Sequence, residues 1–75
     1  MKKTKLKKAA QLNVGDYVYL DEDNSYELTF VKHCQNRLGV MLVVAIGNHV
    51  IDGRVFRRDV LLSYFKNAKL TVEVN

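Results

Sequence analysis

Asp52-Gly53 lies between two apolar runs, Val50-Ile51 before it and Val55-Phe56 after it. A two-residue connection of this composition favours a type I′ turn, in which both central residues need positive φ. It therefore commits the flanking residues to an antiparallel hairpin. The run before it, Val40-Met41-Leu42-Val43-Val44-Ala45-Ile46, is continuously apolar. At seven residues it is too short for a membrane helix, which needs about 20. It reads instead as a strand covered on both faces, continuing to residue 51 with a break near Gly47-Asn48.

Other segments repeat the β signal. In Val14-Gly15-Asp16-Tyr17-Val18-Tyr19-Leu20, Val14, Val18 and Leu20 share a parity, and Tyr17 and Tyr19 take the other. Asp21-Glu22-Asp23-Asn24-Ser25 is a polar turn. In the strand over residues 26–34, Tyr26, Leu28 and Phe30 point one way and Glu27, Thr29 and Val31 the other. Gln35-Asn36-Arg37-Leu38-Gly39 is a loop in which Gly39 is free to take positive φ. Residues 69–74 alternate as a last strand, with Leu70, Val72 and Val74 inward and Thr71 and Glu73 outward. Residues 59–66 are the helical candidate. Asp59 suits an N-cap, and Val60, Leu61, Tyr64 and Phe65 fall at helical spacing.

With 75 residues, the chain makes one domain, and a fold this size buries only about 60% of the surface exposed by its unfolded chain. The expected organisation is a basic flexible tail over residues 1–11 and a small β domain over residues 12–75. Five strands and a helical turn cannot leave both faces and both edges bare, and a small barrel solves that problem. Leu12-Asn13-Val14-Gly15-Asp16-Tyr17-Val18 resembles the L-x-V-G-D-x-V entry of SH3-like barrels, including nucleic-acid-associated and ribosomal-type modules. The short turn before a final strand is similar to theirs too. The resemblance implies an all-β, five-stranded SH3-like barrel with one short helical turn near residues 59–66. An OB-like or open-sheet arrangement of the same elements is the alternative.

The net charge of +4 is concentrated at the start: residues 1–8 hold five lysines, and the remainder has a net charge of −1. Within the body, residues 9–27 carry a local −5 and residues 28–69 a local +5. Such a dipolar body steers charged partners. The lysines are followed by no apolar run of signal-peptide length, so export by that route is not expected. A single cysteine, Cys34, allows no internal disulfide and suggests a reducing cytoplasm. Cys34, His33 and His49 are too few soft ligands for a structural zinc site. No phosphate loop, nucleophile elbow or catalytic triad spacing is present. His33 and Cys34 are adjacent, so in a strand they point to opposite faces. Cys34 reads as a small core hydrophobe. The expectation is a protein that is not an enzyme and needs no cofactor.

Two readings of function stay open. In the first and leading one, the chain associates with a nucleic acid or a nucleic-acid-handling protein: Lys2, Lys3, Lys5, Lys7 and Lys8, with Arg54, Arg57 and Arg58, contact phosphates, while Tyr17 and Tyr19 stack on bases. In the second, the chain docks on a protein, as an adaptor or as a small inhibitor of a host enzyme such as viral genomes encode, and it also forms a homodimer. If Val40, Leu42, Val44 and Ile46 fill the core, then Met41, Val43 and Ala45 face outward. The helix, the segment through Leu6 and Leu12, or a second molecule then covers them. On this reading Met41 and Val43 are the contact residues.

Overall fold

The computed structural model describes residues 3–73. Its elements are β1 (Thr4–Lys8), a 3-10 turn (Ala9–Gln11), β2 (Tyr17–Tyr19), β3 (Asn24–Gln35), β4 (Met41–Ile51), β5 (Arg54–Phe65) and β6 (Lys69–Glu73). They form one six-stranded antiparallel sheet in the order β1-β6-β2-β3-β4-β5. The all-β class is as expected. The number of strands is not, because part of the expected tail is built into the sheet: Thr4 pairs with Glu73 and Lys8 with Lys69. Met1, Lys2 and Val74 lie outside the described residues.

The entry heptapeptide folds into a turn before it reaches β2. Asp16 Oδ2 accepts the Asn13 N–H at 2.8 Å and the Lys7 ammonium at 2.9 Å. Gly15 adopts φ 96° and donates its N–H to Leu28 O at 2.8 Å. The first strand is therefore shorter than its sequence pattern. Val14 and Leu20 stand exposed at its ends, and Val18 alone of that parity is buried in β2.

The β4–β5 turn forms as the sequence dictates. Asp52 and Gly53 take φ values of 51° and 78°, and Ile51 pairs with Arg54. Gly39 takes φ 80° in the β3–β4 loop, also as expected. Gly47 does not interrupt β4. A Cβ there would meet Glu27 O at 3.1 Å and Leu28 Cδ2 at 3.3 Å, so the missing side chain lets β3 lie close. The irregularities fall on the neighbouring strands instead. Register shifts occur between Leu28 and Phe30 in β3, and opposite His49 in β5.

Residues 59–66 are not helical. Residues 60–65 alternate in exposure, with Leu61, Ser63 and Phe65 outward and Val60, Leu62 and Tyr64 half-buried, as a strand requires. Asp59 is no N-cap. It sits at φ 55° in a bulge, and its N–H is taken by Asn48 Oδ1 at 3.2 Å. Pairing with β4 outweighs the helical spacing: Val60 lies opposite Gly47, and Phe65 opposite Leu42.

The core consists of Ala9, Leu12, Val18, Leu28, Val43, Ala45 and Val72. It lies on one face of the open sheet, the inner face. At one end Ala9 N–H donates to Ala68 O and Ala10 N–H to Lys66 O, while Lys66 N–H reaches Met41 O. These bonds hold the β5–β6 corner against the 3-10 turn and the start of β4. Val43 and Ala45 are fully buried, which reverses the expected parity of β4. Its even residues, Leu42, Val44 and Ile46, face outward and are half-exposed. Among the described residues no helix is long and apolar enough to cross a membrane.

Candidate functional site

The bulge at Thr29 determines which side chains reach the outer surface. Before it, Tyr26 and Leu28 face inward; after it, Phe30 is opposite Ile46 on the outer face and Val31 opposite Ala45 on the inner one. Directly opposed residues share a face, so the outer face of β3, β4 and β5 can be read from the register. One row is Phe30, Ile46 and Leu61; the next is Lys32, Val44 and Ser63; the third is Cys34, Leu42 and Phe65. Seven of these nine side chains are apolar. Leu61 is 71% exposed, Phe65 67% and Phe30 44%. At normal strand spacing the grid covers roughly 300 Å², which is comparable to the largest apolar patch of a typical monomer.

Met41 is exposed, but Val43 is in the core and cannot contact a partner. The reason is the reversed parity: Val43 pairs with Tyr64 and His33 on the inner face. Cys34 is not a core residue either. It stands half-exposed on the outer face beside Leu42, as a free thiol. His33 and Cys34 do take opposite faces.

The basic residues are divided between distant strands. Lys2 lies outside the described residues. Lys3 and Lys5 are exposed, Lys7 is held by Asp16, and Lys8 lies directly across from Lys69. Arg54, Arg57 and Arg58 are exposed on β5, at the other end of the strand order. Lys7 is ion-paired with Asp16, whereas among the described residues no carboxylate lies within ion-pair distance of the three arginines.

Tyr17 and Tyr19 do share a face, and both are engaged with carboxylates. Tyr17 Oη donates to Glu27 Oε2 at 2.6 Å, and Tyr19 Oη to Glu73 Oε1 at 2.8 Å. The hydrogen bond to Glu27, then desolvation and the nearby negative charge, push the Tyr17 phenol up to about 12. This corner is acidic, which disfavours a phosphate backbone beside the rings. A shallow cavity of about 550 Å³ adjoins it, lined by Thr4, Tyr19, Leu20, Thr71 and the 21–23 turn. Within that turn Asp21 accepts Asn24 Nδ2 and the N–H groups of Asp23 and Asn24. The Asn24 amide first, and then the Asp23 N–H, hold its carboxyl below the usual value. Among the described residues no three His, Cys, Asp or Glu side chains cluster to hold a metal.

His49 forms a second aromatic feature that sequence reading missed. Its ring lies 4.9 Å from Tyr26 and 5.7 Å from Phe56, the latter edge-on, and its Nε2 is 3.3 Å from Asn24 Oδ1. Phe56 is drawn across because it is the extra residue of a bulge, between Val55 opposite Val50 and Arg57 opposite His49. The chain matches no family model, no curated protein and no solved structure.

Proposed function

We propose that this chain is a non-enzymatic protein-docking module that binds through the outer face of β3, β4 and β5. The observation that carries this reading is the exposed apolar grid centred on Val44. A face of that size, with Lys32 and Ser63 as its polar members, gives a partner both apolar area and a point of registration. Phe30 and Phe65, at opposite corners, are the aromatic anchors. In the same reading β6, β2, β3, β4 and β5 bend into an SH3-like half-closed barrel. The three-residue β5–β6 connection and its bonds to the 3-10 turn support that curvature.

The test is a photo-reactive side chain at Ile46, introduced in cells. It should capture one defined protein, and capture should be lost on adding Phe30→Asp, while the same group at Asp52 captures none. Equal capture at both positions, or capture insensitive to Phe30→Asp, overturns the reading.

A specific feature favours nucleic acid as a second reading. Lys8 directly faces Lys69, and like charges so placed repel unless an anion lies between them. Deleting β1 would strip a strand from β6, so charge reversal is the cleaner probe. Lys8→Glu with Lys69→Glu should abolish salt-sensitive retention on an oligonucleotide. Retention unaffected by salt or by these changes removes this reading.

A further inference from the structure

β5 is the last strand of the sheet, and its outer edge is open. Its two halves differ. Residues 54–59 are bulged and carry Arg54, Arg57, Arg58 and Asp59. Bulges and charges are the usual protection of an edge against pairing. Residues 60–65, Val60-Leu61-Leu62-Ser63-Tyr64-Phe65, have neither: their register against β4 is unbroken and no side chain is charged.

The direction of the free backbone groups follows from the ladder. Lys66 N–H donates to Met41 O at 3.2 Å, in register with Phe65 opposite Leu42. Hydrogen-bonded and non-bonded pairs alternate along an antiparallel ladder. Tyr64, Leu62 and Val60 therefore turn their backbone groups toward β4, and Leu61, Ser63 and Phe65 turn theirs outward. Asn36 N–H to Val40 O at 3.0 Å sets a compatible phase on the other side of β4.

From this geometry we infer that β5 pairs with β5 of a second copy, antiparallel, about a two-fold axis at Ser63. A two-fold axis perpendicular to the sheet keeps outer residues on the outer face, so outward-bonding residues meet their own kind. Ser63 faces Ser63 of the second copy, and Leu61 faces its Phe65, twice over by symmetry. The two apolar grids then join into one face. Pairing β5 with the other outer strand, β1, would instead bring Arg54, Arg57 and Arg58 toward a lysine strand. A closed, symmetric contact is also the commonest form of self-association. This inference extends the docking reading, because it treats the same apolar surface as a contact, but it acts through the strand edge.

The test is Ser63→Cys in a Cys34→Ser background. Across a hydrogen-bonded antiparallel pair the Cα atoms are about 5.5 Å apart, within disulfide reach. Mild oxidation should yield a covalent dimer, while Leu38→Cys in the same background should not. The solution mass of the unmodified chain should double as concentration rises, and Ser63→Lys, which sets two lysines face to face, should hold it monomeric with an unchanged circular dichroism spectrum. Adding Phe30→Asp, two strands from the edge, should leave the disulfide yield unchanged even where capture at Ile46 is lost. A chain that stays monomeric at every concentration overturns the inference. So does a dimer whose thiols at position 63 do not couple.

Discussion

Single residues set most of the local geometry. Gly53 at φ 78° accepts no side chain without strain, so Gly53→Ala should cost about 1 kcal/mol in urea unfolding. Gly47 works by space rather than φ. Gly47→Val would press a branched side chain against Glu27 O and Tyr26 Cβ, and should destabilise by about 1–3 kcal/mol. Tyr17 makes a prediction about pH. Its phenol is pushed from 10.0 to about 12 in the folded chain. The folded state thus holds this proton more tightly than the unfolded state. The stabilisation is fully present below pH 10 and is lost as pH rises through about 12. Absorbance titration should show tyrosinate forming in more than one step, with Tyr64 also late because burial raises it. Tyr17→Phe should remove one late step and flatten the fall in stability over this range. A single transition near pH 10 that includes Tyr17 would contradict the hydrogen bond to Glu27.

The element scale is where legibility ends. The Asp52-Gly53 hairpin, the Gly39 loop and the inward set Leu70 and Val72 were readable because each depends on neighbours in sequence. Residues 59–66 were not. Their apolar positions satisfy helical and strand periods alike, and the choice falls to β4, whose residues 42–47 need a partner on that side. The parity of β4 was hidden for a related reason. A continuous apolar run reads the same under either parity, and Val43 and Ala45 enter the core because the smaller odd-numbered set fits under Leu28, Leu62 and Tyr64. Two substitutions separate the assignments. Val43→Asp should abolish cooperative unfolding, since it buries an unpaired charge, whereas Val44→Lys should leave the unfolding midpoint nearly unchanged. The bulge at Thr29 left no sequence signal at all, yet it moves Phe30 from core to surface and so creates one corner of the grid.

At the scale of the whole molecule, charge and apolar surface are segregated. Acidic groups gather around Tyr17, Tyr19 and the 21–23 turn. Lysines line β1, arginines the bulged half of β5, and the apolar grid lies on the outer face beside the straight half of β5. β1 itself was misread because a lysine-rich run carries little apolar signal, and its pairing with β6 is long-range. The candidate surface was half legible: Met41 and the arginines were found exposed, while Phe30 was given the parity of Tyr26 and Leu28, and Leu61 and Phe65 were placed with Val60 and Tyr64 on one face of a helix. Docking through this face requires Phe30, Leu61 and Phe65 to be surface residues. The most direct measurement is the urea stability of the combined Phe30→Thr, Leu61→Thr, Phe65→Thr variant. Surface positions change stability by about 0.5 kcal/mol or less each, so at a concentration where both chains are monomeric the variant should unfold cooperatively with a midpoint close to that of the original chain. A loss of several kcal/mol, or no cooperative transition, would show that these side chains form a core.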